Sequence, residues 1–259
     1  MLDFEQIKAQ YPVHLQGFER VILREYLQVK VLQAIFESKQ ASQLVFIGGT
    51  ALRILHDNQR FSEDIDLDIF NLSWEAFDEM MQSVERFLAL GGFEVEIQGI
   101  AKGAYHFYLR FPELLYKEGL SPLIAQKLLI RVDSAAQGYQ YQPEVRILNK
   151  FDVFTEVRAA SLSLLLSHKI YTAVNRKRPK GRDFYDITFL AGRSKPDYGF
   201  LEKKLGVSTP EELREALLER VEAFDFNALA EDVMPFLMDK MQVKRVRLFK
   251  MFWEQVDLA

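Results

Sequence analysis

Three aspartates, Asp64, Asp66 and Asp68, alternate with Ile65, Leu67 and Ile69. A period of two predicts a β-strand, which sends the carboxylates to one face and the aliphatic side chains to a core. Like charges in such a row repel unless a cation sits among them. The pattern therefore predicts a divalent ion, most simply Mg2+, which takes carboxylate oxygens and completes its shell with a phosphate-bearing ligand. Upstream, Gly48-Gly49-Thr50 follows the apolar run Leu44 to Ile47. A glycine bend leading into a helix offers backbone N–H groups, a hydroxyl and a helix N-terminus, which suits a phosphate. Together the two segments predict a nucleotide site.

The flanking elements must hold these groups in place. Val21, Ile22, Glu25, Tyr26, Val29, Leu32, Ile35 and Phe36 recur at helical spacing between Phe18 and Phe36, ahead of the glycine bend. Residues 74–90 repeat that pattern and stop at Gly91-Gly92, a usual helix ending. Strands are predicted over Phe93–Ile100, Ala104–Phe111 and Lys127–Ser134. In the third, Leu129, Arg131 and Asp133 share one parity, which makes Asp133 a candidate third carboxylate on a neighbouring strand. Residues 159–175 read as a helix whose stripe carries Lys169, Thr172, Ala173 and Arg176. The loop RKRPKGRD, with five basic residues, leads into a further helix bearing Asp183 and Asp186. Beyond Tyr198 the pattern is helical, with Thr209-Pro210-Glu211-Glu212 as a helix start. The expected fold class is α+β: a mixed-sheet domain over 1–155, then a helical domain over 156–259 that completes the active-site cleft.

Composition narrows the classes. The 259 residues are 49% hydrophobic and 13% aromatic, enough for a sizeable core. A formal net charge of -4 argues against coating nucleic acid by bulk charge. The 21 Phe and 10 Tyr lie in periodic segments and read as core. No cysteine is present, so neither disulfides nor thiolate metal sites can form. The opening MLDFEQIKAQY carries acids where a secretory signal would be basic and then apolar, and no long apolar run spans a membrane. A cytoplasmic location is expected. His56, His106 and His168 lack ligand spacing and read as structural. The basic run Lys240, Lys244, Arg245, Arg247 and Lys250 reads as a solvated helix face.

Taken jointly, Gly48-Gly49-Thr50-Ala51-Leu52-Arg53, Arg60-Phe61-Ser62-Glu63-Asp64-Ile65-Asp66, and Lys169 with Arg176 and Arg182-Asp183-Phe184-Tyr185-Asp186 resemble the AbiEii/AbiGii (MenT-like) nucleotidyltransferases. These are toxins of bacterial type IV toxin–antitoxin and abortive-infection systems, within the DNA polymerase β-type superfamily. The likeness covers roughly residues 20–190. It implies that Gly48, Gly49 and Thr50 hold the NTP triphosphate, joined by Arg53, Lys169, Arg176 and Arg182. It implies Asp64 and Asp66 as the metal pair; Asp68, which extends the row beyond the family's pattern, is the alternative to Asp64, and strand parity offers Asp133 as the third ligand. Lys169, Asp183 and Asp186 enter the implied active site, with either aspartate facing it. Arg60 reads equally as a phosphate contact or as a partner of Glu63 and Asp64.

The expected activity is magnesium-dependent transfer of NMP from NTP to an RNA acceptor such as a tRNA 3′ end. The implied partner is a cognate antitoxin, a winged-helix regulator. A protein or small-molecule acceptor, and a non-catalytic NTP-binding interaction module, are the alternatives.

Overall fold

The computed structural model describes residues 2–259. The fold is α+β, with a mixed seven-stranded sheet followed by helices. The chain forms two compact units. Among the described residues, the first comprises 2–57, Phe61–Gly138 and Pro143–Ala159; the second comprises Asn58–Arg60, Tyr139–Gln142 and Ala160–Ala259. Two short excursions thus leave the first unit to join the second, which a cut of the sequence at one point does not anticipate.

In the first unit, α1 (Phe4–Ala9) and α2 (Glu19–Phe36) precede β1 (Leu44–Ile47), α3 (Gly48–His56) and β2 (Ile65–Ile69). Next come α4 (Trp74–Leu90), β3 (Glu96–Ala101), β4 (Tyr105–Phe111), the single turn α5 (Leu114–Lys117), β5 (Leu128–Ala135), β6 (Glu144–Lys150) and β7 (Val153–Ala159). The strand order is β3-β4-β5-β2-β1-β7-β6. β2 is antiparallel to β1 and parallel to β5, so the site strands sit mid-sheet.

Alternation decides the two faces. Phe107, Leu109, Phe111, Ile130, Val132, Ile65 and Leu67 are buried; α2 packs on β5, β7 and α4, and α4 on β3. Gly99 is small because a Cβ there would strike Trp74 and Phe107 at 2.7 Å, whose rings stack 5.2 Å apart. Tyr108, Arg131 and Asp133 take the opposite parity and are half-buried, as a sheet with one solvated face requires.

β6 is an edge strand that the hydrophobic pattern conceals. Its Val145 and Ile147 are exposed while Leu148 is buried, so two of its three apolar residues point away from the core.

The second unit contains α6 (Leu162–Asn175), α7 (Gly181–Ala191), α8 (Tyr198–Leu205), α9 (Pro210–Val221), α10 (Phe226–Val233), α11 (Lys244–Arg247) and α12 (Phe249–Gln255). Ser161 caps α6, and Thr209 with Glu212 forms a capping box at α9. α7 is the central helix, buried at every position except Arg182. Phe184 meets Phe226 and Phe249 at 5.1 and 4.8 Å. Gly181 permits this closeness, since a Cβ would overlap the Leu229 carbonyl. No helix among the described residues is long and apolar enough to cross a membrane.

Candidate active site

The glycine bend and the carboxylate strand are built against each other. Ile47 ends β1 in an extended conformation, Gly48 turns with φ of +80°, and α3 starts at once without a side-chain cap. Left-handed backbone suits glycine, and a Cβ at Gly48 would overlap the Asp66 carboxylate. Gly49 and Thr50 are buried in the first turn of α3. The Thr50 hydroxyl donates to the Asp64 carbonyl, tying the bend to the segment that carries the first carboxylate.

The aspartates of the row have different surroundings. Asp66 is half-buried and lies in register with Asp133 of β5 and Ile47 of β1. Asp64 stands one residue before β2, and its Oδ2 accepts from Arg131 Nη2 at 2.8 Å. Asp68 is 1% exposed, and its Oδ1 accepts from the Gln137 backbone N–H at 2.8 Å. It caps the chain leaving β5.

Asp133 is held from two sides. Its Oδ1 lies 2.8 Å from His106 Nδ1, and its Oδ2 lies 2.8 Å from Arg131 Nε. Arg131 thus touches Asp64 and Asp133 together. Burial alone would lower its pKa, but Asp64, Asp133 and Asp66 outweigh that and raise it above the ordinary arginine value. On this strand the sequence marks Asp133 alone as a candidate; the parity it shares with Arg131 is the signal that points to the arginine, and the β4–β5 register brings in His106, which the sequence leaves as structural.

Among the described residues, no three His, Cys, Asp or Glu side chains are arranged to hold a metal ion. The donor chemistry nevertheless suits a hard divalent cation: carboxylates from the β2 segment and β5 surround a guanidinium already seated there. Asp64, Asp66 and Asp133 are the residues that would hold it.

Arg53 has another partner. It is buried, and its Nε and Nη2 donate to Glu25 of α2 at 2.8 and 3.2 Å. Tyr11 donates to Glu25 at 2.6 Å, and Lys150 pairs with the same carboxylate. Burial would raise the Glu25 pKa, yet Lys150 and Arg53 hold it below the usual range. Arg53 thereby fixes α3 on α2.

In the second unit the polar groups of α6 and α7 gather on Asp186, which is fully buried. It accepts from Arg60 at 2.7 and 2.5 Å and from Asn58 Nδ2 at 2.8 Å, and Lys169 Nζ lies 2.9 Å away. Burial would raise its pKa, but Arg60 and Lys169 bring it down to about 2. Arg60 is thus a partner of Asp186, which neither sequence alternative named. Asp183 lies 3.8 Å from Lys169 and 3.4 Å from Arg176, with its Oδ2 buried and not hydrogen-bonded. Arg182 is the half-buried exception on α7. Lys169, Arg176, Asp183 and Asp186 thus form one cluster, with Asp186 at its buried centre and Asp183 paired with Lys169 and Arg176.

A family model described as the nucleotidyl transferase AbiEii toxin of type IV toxin–antitoxin systems matches residues 30–254. The fold is similar to that of JHP933 from Helicobacter pylori, at 15% identity, with 92% of this chain and 93% of that one covered and a TM-score of 0.56. It is also similar to a Helicobacter pylori protein described as a candidate nucleotidyltransferase, at 15% identity, 93% and 99% coverage and a TM-score of 0.54. No curated protein matches the chain.

Proposed function

Because the chain belongs to the AbiEii nucleotidyl transferase toxin family of type IV toxin–antitoxin systems, we propose that it transfers NMP from an NTP to an RNA acceptor, such as a tRNA 3′ end, with magnesium. A cognate antitoxin, a winged-helix regulator, restrains it in the cytoplasm. The observation that supports this most is the side-by-side register of Asp66 and Asp133 next to the Gly48 bend.

In such a transfer the acceptor hydroxyl oxygen bonds to the α-phosphorus. The bond to the bridging oxygen breaks, pyrophosphate departs with that electron pair, and the hydroxyl proton is released. Magnesium, when bound, supplies positive charge to the reacting phosphates. The chain's own groups bind and orient. Backbone N–H groups at Gly48, Gly49 and Thr50 cradle phosphate. Asp64, Asp66 and Asp133 would hold the divalent ion, and Lys169, Arg176 and Arg182 are the second unit's candidate groups for neutralising phosphate charge. Asp183 keeps Lys169 and Arg176 aimed.

The test is incubation with each labelled NTP, magnesium and total tRNA. Label should enter RNA with the native chain and not with Asp66→Ala. Label on protein or a small molecule instead would move the acceptor, and NTP binding without any transfer would leave only a binding module.

A further inference from the structure

Arg131 is 39% exposed and its partners Asp64 and Asp133 are 27% and 23% exposed. Ion pairs this open are individually weak, with a median of about 0–1 kcal/mol. The two contacts also differ in kind. Nη2 donates a proper hydrogen bond to Asp64, whereas Nε, though 2.8 Å from Asp133 Oδ2, is buried and makes no hydrogen bond. Arg131 thus holds Asp133 by charge alone, without the alignment that gives guanidinium–carboxylate pairs their strength. A carboxylate oxygen engaged by a guanidinium is also one that a divalent ion would take.

We propose that Arg131 is the built-in counter-cation of this carboxylate cluster and competes with the divalent ion for Asp64 and Asp133. It stabilises the cluster before metal arrives and must leave both carboxylates when metal enters. The inference rests on the nucleotidyl-transfer reading, because it takes Asp64, Asp66 and Asp133 as metal ligands.

The experiment measures Mn2+ binding by the full chain without nucleotide, from the free-ion signal in electron paramagnetic resonance. Arg131→Met should bind Mn2+ on the order of tenfold more tightly than the native chain, since two weak pairs no longer oppose it. Arg131→Lys keeps the charge but cannot span both carboxylates, and should fall between the two. On Mg2+ addition, the 15N resonance of Arg131 Nε in the native chain should move, a change that a purely structural arginine would not show.

Unchanged or weaker Mn2+ binding in Arg131→Met, with that variant folded by circular dichroism, overturns the competition while leaving the metal assignment intact. Absence of Mn2+ binding in the native chain and both variants overturns the competition and the metal assignment together.

Discussion

Arg60 and Asp186 stand 126 positions apart in sequence and meet as a two-point pair with side chains only 2% and 0% exposed. Breaking such a buried pair from one side strands a charge, which costs about 3–5 kcal/mol. Arg60→Ala and Asp186→Ala should each lower stability by about that much in urea unfolding. In the double variant the losses should fall well short of additivity, because both act on one pair.

The same pair sets an acid limit. The Asp186 carboxyl sits at about 2 when folded, against an ordinary 3.8. A depressed carboxyl stabilises fully above the unfolded value and loses that contribution as pH falls towards the folded one. The stability gap between the native chain and Asp186→Asn should therefore close between pH 3.8 and about 2. A higher window belongs to His168, which burial, then Lys169 and Lys204, push down to about 4 from 6.5. Its neutral form is the folded one, so its contribution is complete above pH 6.5 and is lost as pH falls to about 4. His168→Gln should flatten that part of the unfolding profile.

Gly48→Ala forces a Cβ into left-handed backbone and onto the Asp66 carboxylate. The backbone alone costs about 1–2 kcal/mol, and displacement of Asp66 should reduce transfer activity more steeply than the melting temperature would suggest. Thr50→Val removes the hydrogen bond to the Asp64 carbonyl, a loss of about 0.5–1.5 kcal/mol. Thr50→Ser should restore most of it. Thermal melts beside labelled-NTP assays separate the two effects.

Asp66 and Asp68 are two residues apart and should behave oppositely. Asp68 is buried on the Gln137 N–H, a bond that Asn also accepts. Asp68→Asn should retain transfer activity and lose at most about 1–2 kcal/mol of stability, since one charged acceptor becomes neutral. Asp66→Asn should abolish transfer while the chain stays folded. Activity lost in Asp68→Asn and kept in Asp66→Asn would transfer the metal role to Asp68.

Much of the fold was legible because it rests on short-range periodicity. Helical spacing placed α2 and α4, and Ser73 and the glycines after Leu90 frame the second of these. Alternation placed β2, β4 and β5 within a residue or so of their limits. β6 escaped because its outward apolar residues, Val145 and Ile147, break the link between hydrophobicity and burial. Among charged residues, type and spacing marked the right neighbourhoods but not the partners. Arg53 and Arg60 both carried a phosphate reading. The structure gives Arg53 to Glu25 and Arg60 to Asp186, partners 28 and 126 positions away.

What the sequence determined by itself was the inventory: a glycine bend, an alternating acidic strand, and basic and acidic positions on two later helices. Those follow from backbone geometry that neighbouring residues settle among themselves. Only the tertiary structure decided which carboxylate is buried as a cap, which pairs with an arginine from the next strand, and which lies under the bend. The physical reason is that charges are satisfied in space. Strand register and helix packing bring Arg131 to Asp64 and Arg60 to Asp186, and no local pattern records either meeting.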